Sequence, residues 1–396
     1  MIIVSLTVCL SLLILSLLMP SLMLLLEVVS SFRWQYSDQP PPVLGDESVL
    51  AILIPAHNEA EGISQTLEGL LPYLRPQDIL LVVADNCTDE TAEVARSQGA
   101  TVVERFSTDQ RGKGYALDYG LSQLQLNPPD IVILMDADCD VKPDTIPLLA
   151  SHALSTQRPV QANYLIEQPR TTSLKSFISA FAIKVKNLVR PLGLKQLGLP
   201  CLLTGTGIAL PWALSRTVTV ASGHIAEDMK WGLDLALAGH PPTFLPNAQV
   251  TSRLPSQEEA ARVQRTRWEH GHLQIIREYL PQLLIKALSQ GRGELLALAL
   301  DIAILPLSLL VLSWSVITVT SLLLAAISGS WLAFNLGLVT GGAIFLAVIL
   351  AWYGYGRSEL SFYQLIMVPV YVIWKVPVYL AFLVRPEQRW VRTRRD

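Results

Sequence analysis

Two acidic pairs and one basic–aromatic cluster, strung along the chain in order, hold residue types that can do chemistry. Asp136 and Asp138 straddle one residue in DADCD, directly after the apolar run IVILM. If the strand continued, alternation would put both carboxylates on one face, and a turn there would also bring them together. Paired carboxylates are hard oxygen ligands for Mg2+ or Mn2+, and such an ion can carry a diphosphate. The same acids could instead cap the next helix, with Pro143 near its first turn. Glu227-Asp228 opens the helix-like segment EDMKWGLDLALAG. One of the two could deprotonate a hydroxyl, although acids at a helix start also answer the macrodipole. Gln264, Arg267 and Trp268 of QRTRW fall close together on a helix. The arginine fork suits a diphosphate, and the tryptophan offers a flat face to a sugar ring. Asp85, in ADNCTDETA, could accept a hydrogen bond from a nucleotide base or cap a helix. Arg111-Gly112-Lys113-Gly114 is a basic turn that could hold diphosphate or stay solvated.

The elements that must position these groups follow from the spacing of apolar runs. VLAILI (Val49 to Ile54), ILLVVA (Ile79 to Ala84) and IVILM (Ile131 to Met135) have strand length. Helix-like segments separate them at Glu59 to Leu74, Thr88 to Gln98 and Gly114 to Leu124. Continuous apolar strands alternating with helices predict a parallel sheet covered on both faces, with ligands beyond the carboxyl ends of its strands. Each strand end here carries polar groups: His57-Asn58-Glu59, Asp85-Asn86 and Asp136-Ala137-Asp138. Gln264 to Leu280 reads as a helix that Pro281 breaks or kinks. Phe177 to Leu199 is amphipathic and basic through Lys184, Lys186, Arg190 and Lys195, so it is either a membrane-face helix or an ordinary surface helix.

Composition places part of the chain in a bilayer. Hydrophobic residues make up 51% and charged residues 16%, with a mean hydropathy of +0.39. Soluble domains typically carry about 25% charged residues. A formal net charge of −3 gives no basic field, so no nucleic-acid partner is expected. Cys9, Cys87, Cys139 and Cys201 are scattered without metal-ligand spacing and read as reduced thiols. Ile2 to Leu26 holds no charged residue and is long enough to cross as an anchor. No basic segment precedes it and no cleavage site closes it, unlike a signal peptide. Ile302 to Gly356 is also uncharged and divides at Ser328-Gly329-Ser330 into two crossing-length runs. A third run, Ser361 to Val384, carries Lys375, Pro369 and Pro377. The tail RPEQRWVRTRRD, with five arginines, is expected to stay cytosolic. Two spans plus a re-entrant or interfacial third segment keep it there. Three plain spans would place it outside, yet the length of the third segment favours the membrane.

The motif set resembles the membrane-bound, polysaccharide-synthase type of family 2 glycosyltransferases, over Ile52 to about Trp268. The resemblance rests on PAHNE (Pro55 to Glu59), ADN (Ala84 to Asn86), RGKG (Arg111 to Gly114), DAD (Asp136 to Asp138), GTG (Gly205 to Gly207), AED (Ala226 to Asp228) and QRTRW. It implies a GT-A type nucleotide-sugar-binding domain with a mixed, mainly parallel sheet, flanked by N- and C-terminal transmembrane helices. It also implies a UDP-sugar donor, Mg2+ or Mn2+, and inversion at the anomeric carbon. By that match Pro55, His57, Glu59, Asp85, Lys113, Asp136 and Arg267 hold the donor. Asp138, with Asp136, holds the metal, and Asp228 is the base. Gly205, Thr206, Gly207, Glu227, Gln264 and Trp268 face the acceptor. Alanine at 226 stands where the family usually has threonine, which bears on local geometry.

The expected organisation is an N-terminal transmembrane helix (1–30), a linker (31–48), the catalytic domain (49–275), an interfacial region (276–300), two or three membrane segments (301–384) and a basic tail (385–396). The expected location is a bacterial plasma membrane, crossed more than once, with the catalytic domain in the cytosol. The acceptor is a glycan in extracellular or cell-wall polysaccharide synthesis. A single lipid acceptor, similar to that of ceramide glucosyltransferases, is the alternative.

Overall fold

A computed structural model describes residues 2–34, 45, 47–167, 174–253 and 258–384. Most of the proline-rich linker and the arginine tail lie outside these residues. In chain order the elements are α1 (Ile2–Ser31), β1 (Leu50–Ala56), α2 (Ile63–Leu70), β2 (Ile79–Asp85), α3 (Thr91–Ser97), β3 (Thr101–Arg105), α4 (Lys113–Leu124), β4 (Ile131–Leu134), β5 (Cys139–Val141), α5 (Thr145–Thr156) and β6 (Val160–Glu167). There follow α6 (Leu174–Lys184), a π-helical turn, α7 (Arg190–Gln196), β7 (Ile208–Pro211), α8 (Trp212–Ser215), α9 (Glu227–Leu237), β8 (Thr243–Arg253) and α10 (Glu258–Gln290). The chain ends with α11 (Gly293–Ile302), α12 (Leu307–Ser328), α13 (Leu332–Ala351), a second π-helical turn, α14 (Phe362–Ile366) and α15 (Val368–Val384).

The described residues divide into two compact units. One is a mixed eight-stranded sheet in the order β3-β2-β1-β4-β7-β6-β8-β5. Its first four strands are parallel, and β7 pairs antiparallel with both β4 and β6. Alternation along β1 explains the two-sided core. Ile52 and Ile54 pack with Ile63 and Leu67 of α2 and Ile146 and Leu149 of α5. Ala51 and Leu53 face the other way, toward Leu117 and Leu121 of α4 and Trp231 of α9. Each such large side chain, fully buried, contributes about 1.5–3 kcal/mol.

The three predicted strands are present, whereas two of the helices start later than their sequence pattern. Asn58 and Asn86 adopt positive φ (55° and 51°) at the ends of β1 and β2, a conformation asparagine tolerates. The Glu59 N–H donates to Thr91 Oγ1 at 2.8 Å, and the Thr88 N–H to Asn58 Oδ1 at 2.7 Å. Those residues are thus engaged in tying the two strand ends together, and α2 and α3 begin only beyond them.

Of the described residues, the second unit comprises α1, the segment 174–198 and residues 272–384. The segment 174–198 therefore belongs with α1 and not with the sheet on either side of it in sequence. Arg190 corrects the surface-helix expectation, because it is buried and paired with Glu27 of α1 and Asp301 of α11. Pro281 does not end α10, which runs through it to Gln290. Among the described residues, three helices are long and apolar enough to cross a membrane: Ile3–Ser31, Leu307–Ser328 and Leu332–Gly356. Gly329, at φ 72°, caps the first C-terminal run where the Ser-Gly-Ser break was read. The third apolar run forms the short α14 and α15, with Lys375 buried.

Candidate active site

The carboxyl ends of β2, β1 and β4 lie side by side, so their polar residues share one edge of the sheet. At β2, Asp85 is buried and its Oδ1 accepts from Arg105 Nη1 at 2.6 Å. His57 Nδ1 lies 2.6 Å from the Asp85 carbonyl oxygen, which locks the end of β1 to the end of β2. Pro55 pairs with Val83 inside the sheet. Arg105 escaped the sequence reading, because an arginine closing a strand gives no sign that it will turn onto Asp85.

Beyond β4 the strand stops at Leu134 and the chain turns, so a turn and not strand alternation brings Asp136 and Asp138 together. Among the described residues, one group could hold a metal ion: a ligand atom from each of Asp136, Asp138 and Cys139 lies within 4.8 Å of the others. Burial, then the negative charge of Asp138 and Asp136, raises the Cys139 thiol well above its ordinary value, so it stays protonated. Its Sγ lies 3.6 Å from Thr206 Oγ1. The two carboxylates are the hard donors left, and they fit Mg2+ or Mn2+ better than a softer ion.

Gly205, at φ 64°, and Gly207, at φ 68°, fold the GTG segment around Asp136. A Cβ at Gly207 would lie 2.8 Å from that of Ala162 and 2.9 Å from Val250 Cγ2, so only glycine fits without displacement. Thr206 is wholly buried, and its hydroxyl accepts the Asp136 N–H at 2.9 Å. Its side chain therefore acts on Asp136. Gln161, a buried glutamine on β6, accepts from the Thr204 N–H at 2.7 Å and donates to the Thr206 carbonyl at 3.0 Å. Its signal in the sequence is a polar residue between the apolar Val160 and Ala162 of β6. Tyr164, three residues further along β6, bonds Ser252 at 2.6 Å. Burial and the nearby Asp138 and Asp136 charges raise its phenol well above the usual value.

Lys113 and Asp228 complete the cluster. The Lys113 ammonium pairs with Asp136 and donates to the Gly205 carbonyl at 2.7 Å. The N–H of the same glycine donates to the Asp228 carboxylate. Burial opposes the Lys113 charge, but Asp136, Glu227 and Asp228 outweigh it and raise the ammonium above the ordinary lysine value. Burial and the adjacent Asp228 lift the Glu227 carboxyl to about 7, against the opposing pull of Lys113 and Arg267. Arg267 is thereby tied to the acidic pair. The Gly271 backbone approaches the start of α9 closely, since a Cβ there would lie 3.1 Å from that of Ala226. Arg267 and Gln264 precede Gly271 by four and seven residues, so α10 presents them on that same face. The small residue at 226 leaves room for this approach. Gln264 is buried, and among the described residues its Oε1 has no hydrogen-bond partner. Trp268 is half-buried.

The model of the family described as "Glycosyltransferase like family 2" matches residues 47–271. The low-salt glycan biosynthesis hexosyltransferase Agl6 of Haloferax volcanii is 35% identical over 102 residues, which are 25% of this chain and 23% of that protein. The 4,4'-diaponeurosporenoate glycosyltransferase of Staphylococcus aureus is 38% identical over 96 residues, 24% of each chain. These matches span about a quarter of the length of either curated relative. Among solved structures, the mannosyltransferase PcManGT from Pyrobaculum calidifontis, in complex with GDP-Man and Mn2+, aligns with a TM-score of 0.54. The alignment covers 94% of this chain and 99% of the other at 18% identity, a likeness of fold.

Proposed function

Because the chain belongs to glycosyltransferase-like family 2 and has a GT-A fold, we propose that it is an inverting glycosyltransferase that moves a sugar from a UDP-sugar to a glycan acceptor at a membrane. The observation that carries this reading is the run of contacts from Asp136 through Lys113 and Gly205 to Asp228, in which the Gly205 carbonyl accepts from Lys113 and the Gly205 N–H donates to Asp228. Inversion is one in-line displacement, so it requires a base on one side and a stabilised leaving group on the other. Asp228 takes the proton of the acceptor hydroxyl. Glu227 beside it, with Gln264 and Trp268, orients the acceptor. Lys113 and Arg267 hold the diphosphate, while His57, Glu59 and Asp85 with Pro55 form the nucleotide end. Asp136 and Asp138 would hold Mg2+ or Mn2+, which when bound supplies positive charge against the departing diphosphate.

The cellular reading is synthesis of an extracellular or cell-wall polysaccharide, with the catalytic domain on the cytosolic side of a bacterial plasma membrane. One relative's name, for glycan biosynthesis, supports this. The three apolar helices support the alternative of a lipid acceptor equally well, since they would hold the enzyme at its substrate. A panel of labelled UDP- and GDP-sugars, offered to membranes containing the protein with Mg2+ or Mn2+, tests both. Metal-dependent label in a long polymer is the expected result. Label confined to one organic-extractable lipid moves the assignment to glycolipid synthesis. Turnover of GDP-sugars alone overturns the UDP assignment, and no turnover with any donor overturns the activity.

A further inference from the structure

Resting on the transferase reading above, we propose that Lys113 is a built-in cation that occupies the metal-binding carboxylate Asp136 until a donor diphosphate draws the ammonium away, so that metal and donor load together. Both contacts of the ammonium given above lie on the acidic side of the site, the ion pair to Asp136 and the bond to the Gly205 carbonyl. A dication on Asp136 and Asp138 would share Asp136 with that ammonium, and repulsion between the two cations weakens metal binding while the lysine stays. A diphosphate reverses the balance, because its oxygens offer the ammonium another anion.

The backbone under Lys113 is held while its side chain can move. A Cβ at Gly114 would lie 2.6 Å from the Val220 carbonyl oxygen and 2.7 Å from that of Ser222, so this stretch of chain is packed against its neighbours. The four-carbon stem of lysine is flexible and its ammonium is a point charge without a fixed fork, which suits a transfer from one anion to another. The Gly205 link adds a consequence. The glycine whose carbonyl accepts from Lys113 donates its N–H to Asp228, so departure of the ammonium also loosens the residue that holds the acid of the neighbouring pair. Energetic coupling of this kind is reciprocal: whatever the donor does for metal affinity, metal does for donor affinity.

The test is Mn2+ binding to the purified full-length protein, followed by the electron paramagnetic resonance signal of free Mn2+, alone and with saturating UDP or GDP. The natural protein is expected to bind Mn2+ weakly alone and about tenfold more tightly with one of the nucleotides, within the usual range of coupling between sites. Lys113→Met is expected to bind Mn2+ alone about tenfold more tightly than the natural protein and to gain little from nucleotide. Lys113→Arg, which keeps the charge, should retain most of the nucleotide-dependent gain. Arg111→Met removes the same charge from the same turn at an exposed position and should leave Mn2+ affinity without nucleotide unchanged. Unchanged or weaker Mn2+ binding by Lys113→Met overturns the proposal, as does equal tightening by Arg111→Met. If no variant binds Mn2+ under any condition, the metal reading of Asp136 and Asp138 falls with it. Transfer from donor in chelator would then show that the glycosyltransferase reading itself survives.

Discussion

At the scale of single residues, the acidic pair at the start of α9 divides its labour by environment. Asp228 is held by the Gly205 N–H, which keeps its carboxylate aimed at the GTG turn. Asp228→Asn preserves shape and removes basicity, so transfer should fall by about 10²–10⁴-fold while donor binding, read by calorimetry, stays within a few-fold. Full turnover in that variant would remove Asp228 from the role of base. Asp138→Ala should instead abolish metal-dependent donor binding. Glu227 makes a different, pH-dependent prediction. Its carboxyl is lifted to about 7, chiefly by burial and then by Asp228, above its ordinary 4.5. A carboxyl raised on folding binds its proton more tightly in the native state, so stability falls as pH rises from the unfolded to the folded value. Its cost is absent below about pH 4.5 and fully present above about pH 7. Glu227→Gln should therefore raise Tm above pH 7 and leave it unchanged near pH 4.5. A Tm difference that does not vary across that range would contradict the burial account.

At the scale of elements, the strands were legible because a run such as ILLVVA must be buried on both faces, and the sheet buries it so. The GTG turn was legible as a motif, but its mechanism was not. That Thr206 points inward to Asp136 is a tertiary fact with no local signature, and the polar Gln161 in β6 stands out in the sequence without showing what it braces. Arg190 shows the same limit from the other direction. Its neighbours Lys184, Lys186 and Lys195 made the segment read as a basic surface, yet its partners are 163 and 111 residues away, on α1 and α11. No window of sequence contains them. The consequence is testable, because removing one member of a buried charge group strands the others. Arg190→Leu leaves Glu27 and Asp301 buried without their cation and should cost about 3–5 kcal/mol, seen as a lower Tm in detergent. Replacing Glu27, Arg190 and Asp301 together by leucine should recover most of that loss. If the triple variant is no more stable than the single one, the group contributes through packing and not through charge.

For the whole molecule, the open question is which way the apolar helices run, and their mutual packing constrains it. Thr318 of α12 lies against Gly337 of α13, and Trp314 against Gly341, so the two helices are antiparallel about the turn at Gly329. The Tyr355 hydroxyl, just past α13, donates to the Ser31 carbonyl at the end of α1 at 3.0 Å, and Phe32 packs on Tyr355. The carboxyl ends of α1 and α13 therefore meet. Arg33 and Arg357 follow those ends directly, the pattern of cytosolic flanks. The catalytic unit follows α1 in sequence and precedes α12, so the proposed topology has three crossings, with the sheet and the chain after α13 on one side and the turn at Gly329 on the other. This reading makes α14 and α15 interfacial or re-entrant, because the apolar stretch Val368–Phe382 falls below the length of the three candidate spans. It gives a direct expectation for thiol labelling. With the exposed Cys9 replaced by serine, Ser330→Cys should react with a membrane-impermeant maleimide added to intact cells. Ser358→Cys, exposed beyond the far end of α13, should react only after permeabilisation. Labelling of position 358 in intact cells would put the arginine flanks outside and would require an additional crossing through α15.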